Sequence, residues 1–356
     1  MALIRFAIVG CGRIAKRHSD ILGKRLVDHC ELVGVCDKIP ERVAIIASTY
    51  NLHPYTNMHI MMEEVNPDVV VVLTESGNHA RDVIELAPYG KHIVVEKPMA
   101  LSLEDADSMI KACDYYGIKL FVVKQNRFNL PILKLREAVQ SQRFGKMVLG
   151  TVRVRWCRTQ SYYDQDSWRG TWSMDGGVIS NQASHHIDML LWMMGDVDTV
   201  HALGATQLVN IEAEDTAVVS LRFRNGALGV IEATTATRPK DQEGSISILG
   251  EEGMVEVGGF AMNVIKTWQF SHSTPEDQEV ATKYSVNPPN VYGFGHQEYY
   301  AHVVRSILSE EPNMIDGLAG RKSLELIIAI YESMEKEQPI KLLLSPNHTR
   351  LGKSYP

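Results

Sequence analysis

The stretch Ile4-Arg5-Phe6-Ala7-Ile8-Val9-Gly10-Cys11-Gly12-Arg13-Ile14-Ala15 sets an apolar run directly against Gly-x-Gly-x-x-Ala, with a helix-forming segment after it. In a strand, turn, helix arrangement the first glycine permits the turn and the second lets a pyrophosphate approach the backbone. The small Ala15 lets helix and strand pack closely while the helix N-terminus faces the anion. Asp37 follows the next predicted strand, where a carboxylate hydrogen-bonds a ribose 2′-hydroxyl. Gly10, Gly12, Arg13, Ile14 and Asp37 are therefore the first cofactor-binding candidates. A carboxylate beside a 2′-phosphate repels it by about 4 kcal/mol per charge pair at close range. That favours NAD over NADP, although Lys38 and Arg42 nearby weaken the preference.

Strand-like and helix-like segments keep alternating beyond this point. Residues 31–36, 69–73, 92–95 and 119–123 read as strands, and 13–24, 40–50, 78–89 and 103–116 as helices. Val69-Val70-Val71-Val72-Leu73 has no polar face, as a parallel strand covered on both sides requires. The pattern predicts an α/β fold: a Rossmann doubly wound parallel sheet in residues 1–125. After Phe144-Gly145 the period changes to two, so that Val152, Val154 and Trp156 share one face and Arg153 and Arg155 the other. Residues 216–223 and 227–233 flank Asn225-Gly226 as a hairpin, and 245–249 and 254–257 flank Glu251-Glu252-Gly253 as another. With helices expected at 184–194, 297–309 and 321–336, residues 126–356 should form a C-terminal α+β domain on a mostly antiparallel open sheet. A chain of 356 residues exceeds the roughly 250–300 at which single cores stop growing.

The composition, 45% hydrophobic and 22% charged, reads as soluble and globular. No apolar run approaches the ~18 residues of a membrane span. The opening segment reads as a strand and not as a signal peptide, so cytoplasmic residence is expected. A net charge of −7 without any Lys/Arg block argues against nucleic acid or an anionic membrane as partner. The five cysteines, Cys11, Cys30, Cys36, Cys113 and Cys157, are widely spaced with no C-x-x-C pair, and read as reduced structural thiols with no metal.

Three further clusters carry chemistry. Leu73-Thr74-Glu75-Ser76-Gly77-Asn78-His79 leaves a strand at the carboxyl edge where Rossmann ligands bind, which makes Thr74, Asn78 and His79 cofactor candidates; a plain helix cap by Ser76 or Asn78 is the ordinary alternative. Glu96-Lys97-Pro98 ends the next strand. Proline stiffens the chain there and admits a cis bond, and desolvation with nearby cations would lower the Lys97 pKa, giving an amine that exchanges a proton with a hydroxyl. A surface lysine at a strand end is the bland alternative. In Asp175-Gly176-Gly177-Val178-Ile179-Ser180-Asn181-Gln182-Ala183-Ser184-His185-His186-Ile187-Asp188, the glycine pair allows a tight approach. Asn181, His185 and Asp188 then recur at helical spacing on one face. His185 is an acid/base or hydrogen-bonding candidate with Asn181 and Ser184 beside it; a core histidine is the alternative, and no further ligand at suitable spacing supports a metal.

These motifs, in this order, resemble the Gfo/Idh/MocA oxidoreductases over essentially the whole chain. The resemblance implies active-site roles for Lys97 and His185, cofactor contact for Glu96, and NAD as cofactor. Lys124-Gln125-Asn126-Arg127-Phe128-Asn129, Trp168-Arg169, Asn181-Gln182-Ala183-Ser184-His185 and Tyr292-Gly293-Phe294-Gly295-His296 are similar to one subgroup. That subgroup is the UDP-N-acetyl-2-amino-2-deoxyglucuronate dehydrogenases of the WlbA/WbpB type. The similarity implies oxidation of a nucleotide-sugar 3-hydroxyl to a ketone, which a pyridoxal-phosphate (PLP) aminotransferase converts to an amine on the way to surface polysaccharide. It also implies a homotetramer. Gln125, Trp168 and Arg169 would border the cofactor, and Asn126, Arg127, Arg158 and Tyr163 the sugar nucleotide, since amides, aromatics and arginines bind hydroxyls, ring faces and anionic oxygens. Asn181 stands where the family more often has Asp, which leaves one fewer negative charge. Another sugar or inositol dehydrogenase, an NAD-dependent glycosidase and a non-catalytic sensor are the alternatives, and whether Lys97 or His185 is the base stays open.

Overall fold

The computed structural model describes residues 2–259, 261–286, 293–309, 311–342 and 349–353. The first part runs β1 (Ile4–Val9), α1 (Ala15–Gly23), β2 (Cys30–Cys36), α2 (Pro40–Tyr50), β3 (Pro54–Tyr55), α3 (Met58–Val65), β4 (Val69–Val72), α4 (His79–Leu86), β5 (His92–Val95), α5 (Leu103–Tyr115) and β6 (Leu120–Val122). The six strands lie in the order β3-β2-β1-β4-β5-β6, and every neighbouring pair is parallel. This is the doubly wound Rossmann order, which reverses between β1 and β4 and puts the turns after these two strands at the switch point where ligands bind. All four residues of β4 are buried, as helices on both faces demand.

The second part contains α6 (Leu130–Gln140), β7 (Met147–Arg155), α7 (Gln160–Tyr163), α8 (Ser184–Met194), β8 (Val197–Ala205), β9 (Thr216–Phe223), β10 (Leu228–Thr234), β11 (Glu243–Gly250), β12 (Gly253–Gly258), β13 (Val264–Phe270), α9 (Asp277–Tyr284), α10 (Gly295–Leu308), α11 (Gly317–Lys336) and β14 (Ile340–Lys341). Its eight-stranded sheet has the order β13-β12-β11-β7-β10-β9-β8-β14. Only β7 and β10 pair in parallel; the other neighbours are antiparallel. Along β9 the burial alternates, with Ala217, Val219, Leu221 and Phe223 buried and Val218, Ser220 and Arg222 exposed. Helix α8 covers β7 so closely that a Cβ on Gly150 would stand 2.7 Å from Met194.

By internal contact the chain divides into residues 1–124 with 296–322, and residues 125–295 with 323–356. The expected boundary gives everything from 126 onward to the second domain, whereas by contact the segment 296–322 packs with the first unit. The cause is pairing across a long sequence separation: Val122 N–H donates to the Ile315 carbonyl at 2.7 Å, and buried Tyr300 packs edge-on against Phe6 of β1 with ring centroids 5.7 Å apart. Among the described residues no helix is long and apolar enough to cross a membrane.

Candidate active site

At the switch point, Gly10 has φ +97°, and a Cβ there would stand 2.6 Å from the Leu73 carbonyl carbon. The turn therefore needs glycine for its conformation and for its contact with the end of β4. A Cβ on Gly12 would meet nothing within 4 Å, so this face of the turn is open. Ile14, the residue before α1, makes no side-chain cap; Ala15 N–H donates to the Gly12 carbonyl and Arg17 N–H to the Ile14 carbonyl, and the helix N-terminus still presents its positive end to an anion. Arg13 is exposed and Ile14 half-buried. The Asp37 carboxylate accepts from Cys11 N–H at 2.6 Å and from Ile39 N–H at 2.8 Å. The open glycine turn, the uncapped helix and the fixed carboxylate fit a dinucleotide. The neighbouring thiols are inert: burial first, then the Asp37 charge, pushes Cys11 up to about 12 and Cys36 up to about 11.

Beyond β4, Thr74 donates to Asp82 at 2.7 Å and the Asn78 amide to Glu75 at 2.9 Å. His79 is buried, with Nδ1 2.8 Å from the Pro98 carbonyl and Nε2 2.9 Å from the Thr74 carbonyl. Both ring nitrogens are thus turned to the main chain, and His79 ties the β4 turn to the β5 turn instead of offering a nitrogen to a ligand. Lys97 is half-buried and its bond to Pro98 is cis.

Glu96 is buried, and its two oxygens are both taken. Oε1 lies 3.0 Å from His18 Nε2, and Oε2 accepts from Lys97 N–H at 2.8 Å. The other His18 nitrogen is 2.6 Å from Tyr300 Oη. Burial pushes the Glu96 carboxyl up, but His18, with the charges of His296 and Lys97, outweighs it and holds the carboxyl down at about 2. An anion therefore sits beside Lys97, where the sequence reading expected cations. His18, Glu96 and His296 offer three possible metal-ligand atoms within 4.8 Å of one another. The engagement of both His18 nitrogens fits a hydrogen-bonded chain better than a metal centre.

In the second unit, the Gln125 amide donates to His185 Nε2 at 3.0 Å, with His185 half-buried on the first turn of α8. Its neighbour His186 is the core imidazole: burial alone pushes it down to about 3, and its ring packs edge-on against Trp156. Asn181 precedes α8 and does not share a helix face with His185 and Asp188, which corrects the spacing argument. It lies in a turn whose amides point back to Gly177 and Val178. Its side-chain amide donates to Asp175 at 2.5 Å, and Ser184 donates to the Asn181 carbonyl at 3.0 Å.

Other candidates are drawn into the scaffold. Arg127 is buried and bidentate to Asp188 at 2.9 and 2.8 Å, with its guanidinium 5.0 Å from the centre of the Trp192 ring. Tyr163 is buried against Thr235 at 3.1 Å, and burial pushes its hydroxyl up to about 12. Arg158 pairs with Asp241 at 2.8 Å, and Arg169 with Asp166 at 3.1 Å and Tyr162 Oη at 2.9 Å. Both guanidinium groups lie over the Tyr162 ring, and Arg169 also over Trp168, so Arg169 stacks on both aromatic rings. Asn126 is buried. Of the motif at 292–296, Tyr292 lies outside the described residues.

His18 and Tyr300 escaped the sequence reading because their partners are 78 and 282 positions away. Glu214 escaped it too. It fills the space beside Gly177, where a Cβ would stand 2.1 Å from the Glu214 carbonyl oxygen.

Comparison with known proteins agrees with both halves of the fold. Residues 4–124 match the oxidoreductase-family NAD-binding Rossmann fold, and residues 136–342 match the C-terminal alpha/beta domain of the same family. The chain is similar to the WlbA dehydrogenase of Chromobacterium violaceum, solved with NADH and UDP-GlcNAcA: 43% identity, TM-score 0.91, 97% of each chain covered. The corresponding Bordetella pertussis structure with the same ligands shares 43% identity at TM-score 0.91, over 97% of this chain and 99% of that one. Myo-inositol 2-dehydrogenase of Thermotoga maritima is 30% identical over 95% of this chain and 98% of its own length. With both domains matched along nearly the whole sequence, the chain belongs to the Gfo/Idh/MocA oxidoreductase family and carries that family's NAD-binding Rossmann domain.

Proposed function

We propose that this protein oxidises the C3 hydroxyl of UDP-N-acetyl-D-glucosaminuronate (UDP-GlcNAcA) to the 3-keto sugar with NAD as oxidant. The observation that carries the reading is the 43% identity, across 97% of this chain, to two dehydrogenases held with NADH and UDP-GlcNAcA. Bound NAD supplies the hydride acceptor. Gly10, Gly12, Arg13, Ile14, Asp37, Thr74 and Asn78 hold it, and Gln125, Trp168 and Arg169 are the candidates for its nicotinamide end; His79 and Glu96 brace the turns after β4 and β5.

Lys97 Nζ takes the hydroxyl proton, and His185, set by Gln125, orients the hydroxyl. Asn126, Asn181, Ser184 and Arg158 recognise the sugar nucleotide, while Arg127 and Tyr163 brace them. Turnover of UDP-GlcNAcA against UDP-N-acetylglucosamine tests the reading: the uronate should react far better, because a pocket built for a carboxylate leaves polar groups unsatisfied without one. Equal turnover would remove the uronate. The similarity to a myo-inositol 2-dehydrogenase supports a second reading, a small polyol as substrate.

The wider setting follows from the same proposal. The ketone is the substrate a PLP-dependent aminotransferase needs on the way to lipopolysaccharide O-antigen, a cytoplasmic step. A homotetramer is supported by the outer face of the large sheet, where Leu203, Val218, Leu228 and Val230 are 66%, 55%, 48% and 36% exposed. Leu203 is paired with Val218 across β8 and β9. Exposed apolar side chains set among Ser220, Arg222 and His201 on this face suit packing against a second copy.

A further inference from the structure

The turn at residues 176–180, which leads into Asn181 and α8, rests on two buried side chains from distant parts of the sequence. Tyr331 Oη accepts from Gly177 N–H at 3.0 Å and Ser180 N–H at 3.3 Å, and donates to Glu214 Oε1 at 3.0 Å. Glu214 Oε1 also accepts from Ile179 N–H at 2.9 Å, and the Glu214 main-chain carbonyl from Val178 N–H at 2.9 Å. Glu214 Oε2 is buried with no hydrogen-bond partner. The other acid of the segment, Asp175, is 1% exposed and accepts from the Asn181 amide and from Gly170 N–H at 2.9 Å. A charged Glu214 would place an uncompensated oxygen in the core close to a second carboxylate.

We propose that Glu214 and Tyr331 are positioning residues for the segment that carries Asn181 and His185, and that they hold it in place only while Glu214 is a neutral carboxylic acid. The groups that face Glu214 are Asp175 from the same segment and Tyr331 from α11. Burial pushes the Glu214 carboxyl up to about 7; hydrogen bonds from Ile179 N–H, from its own N–H and from Tyr331 oppose the rise, and Asp175 adds to it. Raising the pH through this value sends the proton to solvent and leaves a buried anion beside Asp175, which the turn relieves by opening.

The inference rests on the reading that Asn181 and His185 face the sugar, and its test separates the two. Hydrogen exchange of the amides at 176–183, corrected for intrinsic rate, is measured on the NAD-loaded enzyme at about pH 6 and pH 8 together with KM and kcat for UDP-GlcNAcA. The wild type should lose protection and its KM should rise about three- to tenfold between the two, with kcat moving less. Glu214→Gln, which mimics the neutral acid, should be flat in both measurements and close to the wild-type values at the lower pH. Tyr331→Phe should be poorly protected throughout. Wild-type protection that does not change with pH, or a Glu214→Gln variant that tracks the wild type, would overturn the proposal. Protection that changes while KM stays fixed would instead overturn the assignment of Asn181 and His185 to the sugar.

Discussion

Cys11 N–H donates to the Asp37 carboxylate at 2.6 Å, so the glycine turn after β1 and the acidic end of β2 are one structural unit. Asp37→Ala should weaken NAD binding by about tenfold or more, because it removes a charged acceptor and loosens the turn. It should also narrow the preference over NADP by removing a repulsive charge. Titration calorimetry with both cofactors checks this; unchanged affinity for both would place the ribose elsewhere.

Gly10→Ala is the sharper perturbation of the same turn. A Cβ 2.6 Å from the Leu73 carbonyl carbon at φ +97° forces backbone movement, so we expect a loss of about 1–3 kcal/mol and of NAD-induced stabilisation. Thermal unfolding with and without NAD reads both. A Gly12→Ala variant, whose Cβ meets nothing within 4 Å, should fold normally and lose only cofactor affinity.

Arg127→Ala should act as a stability mutation. Removing one partner of a buried ion pair costs about 3–5 kcal/mol, and Arg127 with Asp188 is such a pair. Urea unfolding should show it, and Arg127→Lys should recover only part, since the bidentate geometry is lost. A fully stable Arg127→Ala with a raised KM would return Arg127 to the sugar.

Glu96 and Glu214 should move stability in opposite directions with pH. Glu96 falls from 4.5 to about 2 on folding, so its contribution is complete above 4.5 and is lost as pH falls toward 2. Glu214 rises from 4.5 to about 7; its penalty grows as pH rises from 4.5 and is complete above 7. At ~1.4 kcal/mol per pH unit, each effect amounts to a few kcal/mol at most. Glu214→Gln should therefore gain on the wild type in urea midpoint at higher pH, and Glu96→Gln should lose its disadvantage in acid.

The fold was legible where the pattern is local. Residues 40–50, 92–95, 184–194 and 216–223 were read with the bounds the structure gives, because helix or strand periodicity and flanking turns agree there. Strand β8 was missed: its end, Leu203-Gly204-Ala205, is exposed throughout and offers no alternation. Helix α6 was missed; Pro131 falls in its first turn, where proline is at home. Of the site, the glycine turn, Asp37, the Lys97-Pro98 junction and the 175–188 block were visible as motifs. What the motifs could not reveal is which polar groups are already taken, since Arg127 meets Asp188 across 61 positions and Tyr331 meets Glu214 across 117.

The most direct test is a single turnover with enzyme in excess over UDP-GlcNAcA and NAD saturating, followed by absorbance of NADH and by mass and NMR analysis of the sugar. The expected result is loss of two hydrogens, the hydride from C3 and the proton from its hydroxyl, and a Lys97→Met variant that folds and binds NAD but transfers hydride roughly 10²–10⁴-fold more slowly. Oxidation of myo-inositol with the UDP sugar returned unchanged would contradict the substrate, and a Lys97→Met variant of near-normal rate beside an inactive His185→Asn would contradict the assignment of the base.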